Sequence, residues 1–222
     1  MPWPTLALAV AVASAVVMAS LTPAVLRALP EPAEPDGKPP YASLATPGFL
    51  LGVGLATAAA SGVVVTLTPV AEWLAWASLC LVNVLACAID ARTTWLPLVL
   101  ARVGWVVAAA GAVVVALASS SWTPILAAAL GAGAVGGFFH LVWRITGAFG
   151  YGDVRLAATI GAVTALDSTM LVVAAVMAGT VLGALWGVLH AARGRGSAFP
   201  YGPGLLAGPF VALLLQGSVL AG

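Results

Sequence analysis

The chain has 222 residues, of which 62% are apolar and 7% charged, with a net charge of +1. A soluble domain carries roughly a quarter charged residues, so a globule of this composition could not cover itself with solvated side chains. Most of its surface must face lipid, and its near-zero net charge offers nothing to nucleic acid or to an acidic partner.

Crossing a hydrocarbon core as a helix takes about 20 apolar residues. A first span covers residues 4–29. Ala13-Ser14-Ala15 resembles a signal-peptide cleavage site, but no Lys or Arg precedes Arg27. The basic n-region is missing, so a retained first helix is expected. Residues 30–46 form the one strongly polar stretch, rich in proline and holding Glu31, Glu34, Asp36 and Lys38, and read as a loop. Further spans are expected at 48–68, 70–89, 96–117, 124–145, 154–166, 169–190 and 204–221. All are expected to be helices, because a lipid-exposed backbone must satisfy its hydrogen bonds internally. The expected fold is therefore an all-α polytopic bundle of about eight transmembrane helices, one membrane domain over 1–222.

The basic residues orient it. With the N-terminus outside, Arg27, Lys38, Arg92, Arg144, Arg155, Arg193 and Arg195 all fall on the cytoplasmic side, and Arg102 can snorkel to it. The connections near 69, 118–123 and 167 carry no basic residue. Such an asymmetry puts both termini outside and the 30–46 loop in the cytoplasm. Span 154–166 is only 13 residues, about 20 Å of helix against a core of roughly 30 Å. Asp153, just before it, is thus expected inside the protein.

Glycines recur at Gly131, Gly133, Gly136 and Gly137 and at Gly179, Gly183 and Gly187, spacings that suit close helix packing. Cys80 and Cys87 lie two turns apart, about 10 Å, too far for a disulfide within a helix. No C-x-x-C pair occurs, so they read as small core residues and neither a metal nor a cofactor is expected. Glu72 and Asp167 fall at external ends and read as solvated loop carboxylates. His140 reads as a packing or hydrogen-bonding residue and His190 as interfacial.

Two aspartates remain. Asp90 closes the third span and Asp153 opens the sixth, and the charge pattern puts both at the cytoplasmic edge. Singly, Asp153 could be a helix N-cap and Asp90 an ion-pair partner of Arg92 or Arg155. Together, two carboxylates within hydrogen-bond reach cannot both ionise cheaply and share a proton. One can then activate water while the other donates a proton, the pair titrating as a unit. Gly150 and Gly152 would allow a tight backbone there and the close approach of a substrate strand.

Gly150-Tyr151-Gly152-Asp153-Val154-Arg155-Leu156 resembles the G-x-G-D-x-K-L signature of the type IV prepilin peptidases, a family of membrane aspartic peptidases. Asp90-Ala91-Arg92-Thr93-Thr94-Trp95-Leu96-Pro97 resembles that family's first-aspartate element, and Phe199-Pro200-Tyr201-Gly202-Pro203 the element that opens its last helix. The resemblance covers residues 70–222. It implies removal of the leader from prepilins or pseudopilins, after a Gly that precedes their hydrophobic stem, at the cytoplasmic face of a bacterial inner membrane. It implies catalytic roles for Asp90 and Asp153, and supporting roles for Gly150, Gly152, Arg155, Pro97, Gly202 and Pro203.

Many bacterial members carry a domain with two C-x-x-C pairs between the first two helices, linked to N-methylation of the product. Here that place holds only the cysteine-free 30–46 loop, so cleavage without methyl transfer is expected. Arg155 stands where the family has Lys, and Leu98 where it often has Asn or Asp. The presenilin-like enzymes share the G-x-G-D idea but need a Tyr before the first aspartate and a late Pro-Ala-Leu. Ile89 precedes Asp90 and no Pro-Ala-Leu occurs. The alternatives from other classes are a proton-coupled carrier using the aspartates as an ion site, and a non-catalytic partner of a pilus or secretion machine.

Overall fold

The computed structural model describes residues 3–32, 37–147, 149–193 and 199–220. Within them the chain forms eight helices, one for each expected span, and a short 3₁₀ turn at Tyr41–Leu44 in the stretch expected as a loop. The eight are α1 (Trp3–Ala28), α2 (Pro47–Leu67), α3 (Val70–Thr93), α4 (Leu98–Ser119), α5 (Thr123–Thr146), α6 (Tyr151–Thr164), α7 (Thr169–Ala192) and α8 (Gly202–Leu220). α1 to α5 and α7 are each long and apolar enough to cross a bilayer, and the chain is a multi-pass membrane protein.

Local chemistry sets the helix ends. Thr46 caps α2 by accepting from the Phe49 N–H at 3.3 Å, with Pro47 at the first position, where its missing donor costs nothing. Ser168 caps α7 in the same way through the Leu171 N–H at 3.1 Å. Ser120 and Gly147 end α4 and α5 in the left-handed conformation.

α1 and α2 pair as a hairpin, as do α5 with α6 and α7 with α8. Small residues set how closely. A Cβ added to Gly131 would lie 2.2 Å from the Gly161 carbonyl oxygen, and one on Gly161 2.3 Å from that of Gly131. α5 and α6 therefore cross backbone to backbone. On α7, Gly183 takes the ring of Tyr201 and Gly187 that of Phe199, while Gly179 and Gly208 seat α8 against α7. The packing expected of the glycines thus holds for most of them. Gly133 and Gly137 face open space instead.

α6 is the short helix. It starts at Tyr151, three residues before the expected position, and has 14 residues, about 21 Å. α4, α5, α7 and α8 all pack on it, so its backbone is enclosed by protein rather than stretched across lipid. Asp153 stands in its first turn and is buried, 6% exposed.

α3 differs most from expectation. It runs four residues beyond position 89, so Asp90 lies one turn inside the helix and does not close it. It is also composite: a 3₁₀ turn (Val70–Glu72), an α segment (Trp73–Ala77), a π-type stretch (Ser78–Asn83) and a final α segment (Val84–Thr93). The Asn83 amide donates to the Ser78 carbonyl at 2.8 Å, filling the wide turn that a sequence pattern does not reveal. Glu72 corrects another expectation. It is buried and accepts from the Trp76 indole N–H at 3.3 Å, whereas Asp167 is exposed as expected. Cys80 and Cys87 are both free and buried.

Candidate active site

Each aspartate is held by the geometry of a helix start. Asp153 is the third residue of α6, and its Oδ2 accepts from the Gly150 N–H at 3.1 Å. It is therefore not the N-cap, which is Gly150, but the acid three residues on that folds back onto the cap's N–H. Its Oδ1 is buried and accepts no hydrogen bond among the described residues. Asp90, 4% exposed, reaches across the fold, and its Oδ2 accepts from the N–H of Gly202, the first residue of α8, at 3.1 Å. A carboxylate is favoured at a helix N-terminus, where backbone N–H groups lack intrahelical partners. A Cβ on Gly202 would lie 2.9 Å from that same oxygen, so a larger residue there would displace the Asp90 carboxylate.

The residues after Asp90 complete the arrangement. The Thr94 N–H closes α3 onto the Asp90 carbonyl at 2.7 Å, and Thr94 itself is left-handed, with φ 57°. That turn brings Leu96 back over the start of α6. A Cβ on Gly152 would lie 2.7 Å from the Leu96 Cβ, so the two aspartate motifs interlock at Leu96 and Gly152. Pro97 is buried and precedes α4 directly. Gly150 is less constrained, with the nearest approach to an added Cβ at 3.7 Å.

Asp90 and Asp153 line one cavity of about 500 Å³, together with Gly150, Gly152 and Pro97. Arg155 and Pro203 do not line it. Arg155 lies over the Tyr151 ring at 4.9 Å, and Arg92 is exposed. Neither arrangement is the ion pair considered for Asp90. Pro203 occupies the second position of α8. Tyr201, just before it, stacks on Phe149 at 5.8 Å. Burial pushes its phenol above the ordinary range; a Thr180 hydrogen bond opposes this and the Asp153 charge adds to it.

Sequence reading did not single out Glu31, Tyr41, Trp95 or Arg102, yet all four line the cavity. Glu31 accepts from the Tyr41 N–H at 2.7 Å. Burial pushes the Tyr41 phenol up, and the Glu31 charge pushes it the same way. Lys38 ties the loop down, donating to Thr94 Oγ1 at 2.8 Å and lying 4.2 Å from the centre of the Trp95 ring. The charge map, which put the 30–46 loop and Arg102 at the same side as the aspartates, points to three of them, and Trp95 lies within the first-aspartate element itself. Glu34 and Asp36 lie outside the described residues, as does Arg195. His140 is exposed, with its ring beside Trp143 and Tyr151, and His190 lies by Phe199. Among the described residues no cluster of three potential metal ligands occurs.

A multi-pass helical bundle with two buried aspartates on one cavity is the scaffold of a membrane enzyme as much as of a carrier, and comparison with known families separates the two. The model of the type IV leader peptidase family matches residues 77–188, about half of the chain and inclusive of both aspartates. The chain belongs to the type IV leader peptidase family. That membership does not favour the carrier reading. No curated protein and no solved structure matches the chain.

Proposed function

We propose that this protein is an aspartic endopeptidase that removes the leader from prepilins or pseudopilins at the cytoplasmic face of a bacterial inner membrane. Asp90 and Asp153 are its catalytic pair. The observation that carries this reading is the pair itself: two buried aspartates from distant parts of the chain on one cavity, each held by a backbone N–H at a helix start.

The chemistry follows from the arrangement. One carboxylate takes a proton from a water, whose oxygen attacks the scissile carbonyl, while the other, protonated, donates to the carbonyl oxygen; the first then passes its proton to the leaving amine as the C–N bond breaks, and the second takes one back from a hydroxyl of the tetrahedral intermediate. The N–H groups of Gly150 and Gly202 fix one oxygen of each carboxylate, leaving Asp153 Oδ1 to receive water or substrate. Gly152 and Leu96 set the spacing of the pair, and Pro97 and Pro203 set the helix starts beside it. Arg155 supports the site through the Tyr151 ring at the cavity wall. The chemistry needs neither metal nor cofactor, and the short 30–46 loop supports peptide cleavage without methyl transfer.

Co-expression with a prepilin-type substrate tests this. Asp90→Asn and Asp153→Asn should each abolish leader removal on a gel while the protein stays in the membrane. Normal processing by either variant, in cells without a second such peptidase, would overturn the reading. Mass spectrometry of the wild-type product should show an unmethylated N-terminus.

A further inference from the structure

Beside the polar cavity, on the other side of the Asp90 helix turn, lies an apolar groove of about 420 Å³ between α2, α3 and α8. Its wall on α3 includes Cys87 and Ala91, which flank Asp90 in sequence, and its wall on α8 begins at Pro203, next to the Gly202 that binds Asp90. From there it runs along α8 to Leu214, eleven residues or about 16 Å, half the thickness of the hydrocarbon core. Alanines line it, among them Ala59, Ala88 and Ala207.

Resting on the peptidase reading above, we infer that this groove holds the membrane-spanning helix of the substrate, so that the scissile junction lies at Asp90, between leader in the polar cavity and stem in the groove. Three observations select this occupant. The groove lies along α2 and α3, both long and apolar enough to cross a bilayer, where an occupying chain must satisfy its own backbone and so must be helical. Its small lining residues let another helix approach closely. Its inner end, at Cys87, Ala91 and Pro203, borders Asp90 and the Gly202 that holds it, so a stem seated in the groove ends beside the carboxylate. A second apolar cavity, about 350 Å³ between α4, α5 and α6, is lined by Ala109 and Ala128 but does not border either aspartate in this way. Its lining residue nearest in sequence to either aspartate is Ala158, five residues past Asp153 along α6.

The experiment uses the full-length protein in phospholipid vesicles. Its probe is a synthetic substrate with a basic leader ending in Gly, followed by an apolar helix of about 20 residues. Ala59→Leu and Ala207→Leu should raise KM about tenfold with kcat within about twofold of wild type. Ala109→Leu, in the second cavity, should leave both unchanged. A benzophenone side chain placed at position 214 in the Asp153→Asn protein should cross-link the substrate's apolar helix. This second measurement needs neither cleavage nor a filled groove, so it stands if the leucine variants fold poorly. An unchanged KM in both well-folded groove variants, or cross-links to lipid or to a second copy only, would overturn the inference. Failure of the wild-type protein to cleave the probe would instead count against the peptidase reading, with the cross-link still reporting on the groove.

Discussion

At the scale of single residues, the three glycines nearest the aspartates have unequal work. Gly202 leaves room for an Asp90 carboxylate oxygen where a Cβ would come within 2.9 Å, and Gly152 leaves room for Leu96 at 2.7 Å. Gly150 has its closest neighbour at 3.7 Å and a φ of −73°, which any residue adopts. Gly202→Ala and Gly152→Ala should therefore each lower kcat by about tenfold to a hundredfold, because small displacements of reacting groups are costly. Gly150→Ala should stay within about threefold of wild type, since an ordinary van der Waals contact asks nothing to move. Leader-removal kinetics on the three variants check this, and equal losses at positions 150 and 152 would contradict it. Glu72 poses a different question at the far end of the molecule. Glu72→Ala leaves the buried Trp76 N–H without its acceptor and should cost about 1–3 kcal/mol of stability. Thermal unfolding in detergent measures that loss, and the remaining folded protein should cleave at the wild-type rate.

Among the helices, the crossing of α5 with α6 positions Asp153, one of the two aspartates proposed as the catalytic pair. Because Gly131 and Gly161 meet backbone to backbone, a methyl group on either must push the helices apart and move α6, which carries Asp153. Gly161→Ala should destabilise the fold by about 2–3 kcal/mol or more and reduce cleavage as well. Gly133→Ala, two residues from Gly131 but facing open space, should be silent in both measurements. Spacing alone makes Gly131 and Gly133 look alike; only the orientation of the helix about its axis distinguishes them. The same limit hid the π-type stretch of α3. It depends on Asn83 turning its amide onto the Ser78 carbonyl, a choice among local hydrogen bonds that leaves the apolar pattern unaltered.

For the whole molecule, the distribution of basic side chains makes a prediction about sidedness. With both termini outside, a cysteine replacing Ser43 should react with an impermeant maleimide from the cytoplasmic side only, and one replacing Ser121 from the outside only. The native Cys80 and Cys87 are buried and should not react. Labelling of both positions from one side would contradict the topology. The chain's composition and span lengths, read without any fold, were enough to define a helical membrane protein and its eight helices. Water and lipid act on every residue separately, so a requirement such as 20 apolar residues per crossing is written in local sequence. The spacing of Asp90 to Leu96-Pro97 and of Gly150 to Asp153 likewise marked both aspartates, since each motif is a helix end set by neighbours in the chain. What only the tertiary structure decided are relations across distance. Gly202 meets Asp90, Leu96 meets Gly152, Glu31 and Arg102 share the aspartates' cavity, and Glu72 is buried. Those pairings depend on how helices rotate and cross, which close packing of small residues sets and local sequence patterns do not express.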